Sequence, residues 1–163
     1  MPRQSKSSAD ESAAETTRAF LAASRALVGV AARSLGAIED SITLPQYRAL
    51  VVLASRGEEI VGVLADSLEI HPSTATRLCD RLARKGLIER HPSVESRREV
   101  TLTLTDAGRT LLRTVTQRRV REINTIVGRL DPNVRRAAID ALKEFADAAE
   151  EIPDEAWKLG WTS

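Results

Sequence analysis

HPSTATRLCDRLARKG, residues 71–86, is the stretch on which the fold turns. His71 stands before a proline and is pushed toward extended backbone, while Pro72 suits the first turn of a helix. From there Ala75, Leu78, Cys79 and Leu82 recur at spacings of three and four and make one apolar stripe. Ser73, Thr74, Arg77, Arg81 and Arg84 fall on the opposite face, and Gly86 supplies a helix stop after Lys85. A shorter helix is expected just before, from about Glu59 to Ser67, with Val61, Leu64, Ala65 and Leu68 facing inward. Two short helices joined by a tight turn follow helix-turn-helix logic when the second offers hydroxyls and arginines from its N-terminal half.

Working outward, LIERHPSVESRREVTLTLT reads as two strands around a turn at Pro92 and Ser93. Leu87 and Ile88 open one strand, and Val100, Leu102 and Leu104 alternate along the other. A two-stranded ribbon is marginal alone and must lean on the helices. Upstream, Pro45 starts a helix that carries Tyr47, Leu50, Val51 and Leu53 and stops at Gly57. Both ends of the chain are helical by periodicity. Phe20, Leu27, Ala31, Leu35 and Ile38 form one stripe; Leu112, Val115, Val120, Ile123, Val127 and Leu130 form a second. The third stripe, after the Asp131-Pro132 break, is Val134, Ala138, Leu142, Phe145 and Ala149. Three amphipathic helices that cannot wrap so small a centre need another surface, which a second copy supplies.

The expected architecture is therefore mainly α, a winged helix-turn-helix with a helical dimerisation region drawn from both termini. Residues 1–10 form a flexible tail, 11–40 and 106–151 the dimerisation region, 41–105 the winged unit, and 152–163 a tail containing Trp157 and Trp161. Composition agrees: 42% hydrophobic and 29% charged residues suit a globular chain, and only 3% are aromatic, so the core must be aliphatic.

Net charge is +1, which by itself selects no partner. Its distribution does. His71 to Arg98 holds seven basic residues against three acids, whereas Asp131 to Ser163 holds eight acids against four bases. A basic segment inside a nearly neutral chain is the footprint of a nucleic-acid face. With two histidines, one cysteine and no glycine-rich phosphate loop, no nucleophile–base pair or zinc spacing is present, so neither enzyme, metal site nor cofactor is expected. Cys79 sits on the apolar side and reads as a small hydrophobe rather than a redox sensor. A single cysteine fits a reducing cytoplasm, and no apolar run of about 20 residues or signal peptide is recognised.

The run from Leu44 to Leu112 resembles the MarR family of winged-helix regulators, through LPQYRALVVLASRG, VLADSLEIHPSTATRLCDRLARKGLIER and RREVTLTLTDAGRTLL in that order. The resemblance implies a homodimer that places two recognition helices in successive major grooves of a pseudo-palindromic double-stranded site, with wings reaching the minor groove. It also implies a repressor that releases DNA on binding a small aromatic or phenolic effector. Thr76 and Arg77 match the family's Thr-Arg step, Ala65 its small residue at the helix crossing, and Leu104-Thr105 with Gly108 its Leu-Thr…Gly signature. The DNA-contact set is thus Ser73, Thr74, Thr76, Arg77, Arg81, Arg84, Arg97 and Arg98. Arg98 aligns with the family's minor-groove arginine, although Ser96 stands where the family has an Asp, and Glu95 would point the other way. The effector pocket would lie between the first helix, the 44–56 helix and the helix after Thr105, with Gln46, Tyr47 and Arg48 as nearby polar candidates. Asp80 and Arg84 are spaced for an i,i+4 ion pair. A winged helix used for protein association without reading DNA is the alternative, and salt dependence of DNA binding separates the two.

Overall fold

The computed structural model describes residues 3–36, 42–93 and 100–151, with residues 3–10 as backbone only. Helix α1 spans Arg3–Gly36. It starts well before Glu11, because nothing from Arg3 to Val28 is a proline or glycine that would break it. Among its described side chains, those buried are Val30, Ala31, Ser34 and Leu35, all at the C-terminal end. By length and composition alone, the Glu11–Gly36 part is apolar enough to cross a membrane, at a mean hydropathy of 1.2. The expectation that the chain holds no such run is corrected here; alanines, leucines and valines supply the hydropathy.

Helix α2, Leu44–Arg56, is opened by a reciprocal cap: Gln46 N–H donates to the Thr43 hydroxyl, and Thr43 N–H to the Gln46 side-chain oxygen. It runs through the centre of the core, with Ala49 to Leu53 almost wholly buried. Gly57 follows at φ 89 and ψ −130, a region open essentially only to glycine. That turn delivers β1, Glu59–Ile60, to the edge of the sheet. β1 pairs antiparallel with β3, Val100–Leu104, through Glu59↔Leu102 and Ile60↔Thr101. The sheet is therefore three-stranded, in the order β1-β3-β2, and not a two-stranded ribbon. Residues 59 and 60 were expected to begin a helix. The pairing with β3 overrides that local reading, and helix α3 covers only Val61–Ser67.

Helix α4, Pro72–Arg84, packs on α3, whose Ala65 is fully buried. Strand β2, Ile88–Pro92, pairs with β3 from Ile88↔Leu104 to Pro92↔Val100. Pro92 thus belongs to the strand rather than the turn, a position it tolerates because β2 lies at a sheet edge. Helix α5, Asp106–Val127, contributes Leu112 and Val115 to the same core as α2, α4 and the sheet. The boundary expected at residue 105 therefore runs through shared packing. Helix α6, Pro132–Ala148, is capped by Asp131, whose carboxylate accepts from Asn133 N–H at 2.8 Å. No α6 residue is buried within the chain. Leu21, Val28, Ile126, Val134, Leu142 and Phe145 stay exposed on the outer helices, and Phe20 stacks on Phe145 with ring centroids 4.3 Å apart.

Candidate nucleic-acid interface

The apolar stripe of α4 fixes its orientation. Ala75, Leu78, Cys79 and Leu82 are buried, so Ser73, Thr74, Thr76, Arg77, Arg81 and Arg84 all stand on the outer surface. The first turn is held by His71, whose Nδ1 accepts from Ser73 N–H at 3.2 Å and lies 2.8 Å from the Ser73 hydroxyl. Helix N-termini carry unpaired N–H donors, and this cap satisfies one of them with a neutral imidazole nitrogen. Thr76 donates its hydroxyl to Pro72 O at 3.0 Å, which leaves its methyl and an acceptor lone pair outward. Among the described residues neither Arg77 nor Arg81 is in an ion pair.

The expected Asp80–Arg84 pair is absent. The Asp80 carboxylate bonds instead to Arg90 on β2, while Arg84 Nε donates to Asp80 O at 3.4 Å. Arg90 lies ten residues on, but β2 folds back beside α4 and brings it closer than the next helical turn does. Arg97 and Arg98, with Glu95 and Ser96, lie outside the described residues.

The joint between α4 and β2 is tightly fixed. Gly86 adopts φ 66, a left-handed conformation that ends the helix without a Cβ clash. Thr105 then serves three partners: its hydroxyl donates to Gly86 O at 2.7 Å, accepts from Gly108 N–H at 3.0 Å, and its N–H donates to Leu87 O at 3.2 Å. A Cβ on Gly108 would stand 2.2 Å from Leu87 O. The Leu-Thr…Gly pattern thus clamps the start of α5 onto the end of α4.

The three polar residues near the expected effector pocket all have structural partners. Gln46 is the capping residue of α2. Tyr47 is buried, bonds Thr116 Oγ1 at 3.0 Å, and has the Arg119 guanidinium 5.8 Å above its ring. Arg48 pairs with Glu151 at 2.8 Å. An open groove of about 440 Å³ lies elsewhere, lined by Leu87, Asp106, Ala107, Thr110, Leu111 and Thr114, on the outer side of α5 beside the α4–β2 joint.

Cys79 is fully buried. Burial pushes its thiol up to about 11, opposed by Arg90 and reinforced by Asp80. A thiol so held is a poor nucleophile near neutrality. Iodoacetamide at pH 8 should leave the native protein unmodified over a period in which the urea-unfolded chain reacts fully; rapid native labelling would show the thiol accessible. Because the folded value lies above the unfolded one, this group's contribution to stability is intact below pH 9. It is lost as pH rises from about 9 to 11.

Sequence reasoning missed two contributors. His71 was legible, since the residue before a proline in a first helical turn occupies the cap position and imidazole Nδ1 can accept. Arg90 was visible as a charge, but its partner depends on where β2 lies.

Comparison with known proteins agrees with this geometry. A family model described as "MarR family" matches residues 42–100. The crystal structure of RV1404 from Mycobacterium tuberculosis superposes with a TM-score of 0.80 at 40% identity, covering 88% of this chain and 97% of that one. The HTH-type transcriptional repressor MdtR of Bacillus subtilis is 36% identical over 70 residues, 43% of this chain and 45% of MdtR. A mutant (F27L) of S. aureus MepR bound to an oligodeoxyribonucleotide shares the fold at a TM-score of 0.61 and 20% identity, covering 82% of this chain and 97% of that one. The exposed arginine face of α4, the sheet that flanks it and these relatives place the chain in the MarR family of transcriptional regulators.

Proposed function

We propose that the protein binds a pseudo-palindromic double-stranded DNA site as a cytoplasmic homodimer and represses transcription until a small aromatic or phenolic effector releases it. The observation that carries DNA binding is the outer face of α4. Six polar or cationic side chains stand there, and Arg77 and Arg81 are uncommitted among the described residues. Ser73, Thr74, Thr76 and Arg77 occupy the N-terminal half, from which recognition helices reach base edges. Arg81 and Arg84 lie further along the same face, at spacings suited to phosphates. The sequence carries two further arginines, Arg97 and Arg98, between β2 and β3. The DNA-bound relative supports the reading, and the relative named as a repressor supports its direction.

The effector part rests on the open groove beside the α4–β2 joint, whose volume lies within the range of small-molecule sites. Its lining is mostly aliphatic and threonine side chains, with Asp106 at the rim. A ligand there would press on Leu87, at the end of the recognition helix.

The experiment is selection from random duplexes, followed by anisotropy titrations at several salt concentrations. An inverted repeat with half-sites roughly 34 Å apart should emerge. Arg77→Ala should weaken binding by about 1–3 kcal/mol and relax preference at one base position. No enriched palindrome, together with salt-independent behaviour, would instead favour a protein-association module.

A further inference from the structure

Asp80 is the one acid in α4, on a helix whose other charges are Arg77, Arg81 and Arg84. On a face that approaches phosphates an aspartate is repulsive, so its presence needs a reason. Its carboxylate is held by Arg90, the middle residue of β2, whose Cα partner is Leu102 on the central strand. Both groups are partly solvated, with side-chain exposures of 47% and 32%. Such pairs add little to stability. What the pair supplies is a second point of attachment. The Thr105 bonds to Gly86 and Leu87 fix where the strand begins, and the β1 pairing with the burial of Leu102 and Leu104 holds the central strand in the core. Edge strand β2 is exposed from Glu89 to Pro92, and the bond from Asp80 ties that outer part directly to the recognition helix.

We propose that Asp80 is a positioning residue for DNA recognition: through Arg90 it sets the angle between the recognition helix and the β2–β3 ribbon. The proposal rests on the DNA-binding reading above. It separates two quantities that usually move together. Indiscriminate attraction to DNA follows net charge, whereas affinity for the palindrome also requires helix and ribbon to engage at one fixed angle.

Asp80→Asn keeps the shape, adds one unit of positive charge and replaces the ion pair with at most a weaker hydrogen bond. Arg90→Gln weakens the same tie and removes one unit. The double variant restores the net charge with the ion pair still absent. Each protein is titrated against the selected palindrome and an unrelated duplex at one salt concentration. Affinity for the unrelated duplex should rise in Asp80→Asn, fall in Arg90→Gln and return to the wild-type value in the double variant. The ratio of specific to unrelated affinity should fall about tenfold in each single variant, a differential of about 1.4 kcal/mol, and no further in the double. Ratios unchanged in Asp80→Asn, or losses that multiply in the double variant, would overturn the proposal. If Asp80→Asn fails to fold, Arg90→Gln alone decides: its ratio must fall, not merely both affinities together. A wild-type protein that does not distinguish the palindrome overturns the DNA-binding reading itself, and this proposal with it.

Discussion

Gly108→Ala is expected to destabilise the protein by about 3 kcal/mol, at the upper end of overpacking effects. The new Cβ would lie 2.2 Å from Leu87 O and 3.1 Å from the Leu104 side chain. The first of these neighbours is backbone and cannot rotate away. It also accepts the Thr105 N–H, so moving it loosens the bond that seats α5 on the end of the recognition helix. Relief therefore requires the start of α5 to lift from the α4–β2 joint, which breaks the threonine clamp as well. For a chain of this length the melting temperature should fall by roughly 6–12 °C. A thermal melt followed by circular dichroism checks it. A melting point within about 2 °C of wild type would show that α5 can shift without loss.

The largest effect on function is expected from Leu142→Glu. Leu142 lies at the middle of the α6 stripe, is 49% exposed in the single chain and touches none of the central core. If α6 is covered by a second copy, the substitution puts a carboxylate into an apolar interface, which opposes association by several kcal/mol. Light scattering should move from twice the 17.8 kDa chain mass to a single chain mass. DNA affinity should then fall by a factor of about 100 to 10,000, because the second half-site is no longer tethered to the first. A dimer that persists with unaltered DNA affinity would show that α6 does not form the interface.

Much of this was legible in the residues. The stripe Ala75, Leu78, Cys79, Leu82 oriented α4 correctly because a helix with a single apolar face has one way to pack. The same logic marked α6 as a surface awaiting a partner. What escaped was long-range. β1 is two residues long and carries no alternation of its own, so only the Glu59–Ile60 pairing with β3 reveals it. Asp80 satisfied a helical spacing rule with Arg84, yet the fold offered it Arg90, a choice no local pattern encodes. The polar candidates Gln46, Tyr47 and Arg48 are each engaged in the structure, holding α2 to its cap, to α5 or to Glu151 just past α6.

Helix α5 belongs to two bodies at once. Its first turns, through Leu112 and Val115, complete the core around α2 and α4, while its later turns run outward beside α1. No cut near residue 105 separates the winged unit from the outer helices without opening that core. A recombination event that joined residues 41–105 to foreign arms would leave that core open unless the newcomer also brought a glycine at position 108 and an aliphatic pair four and seven residues later. The winged unit and the first turns of α5 must therefore be exchanged together if that core is to stay closed.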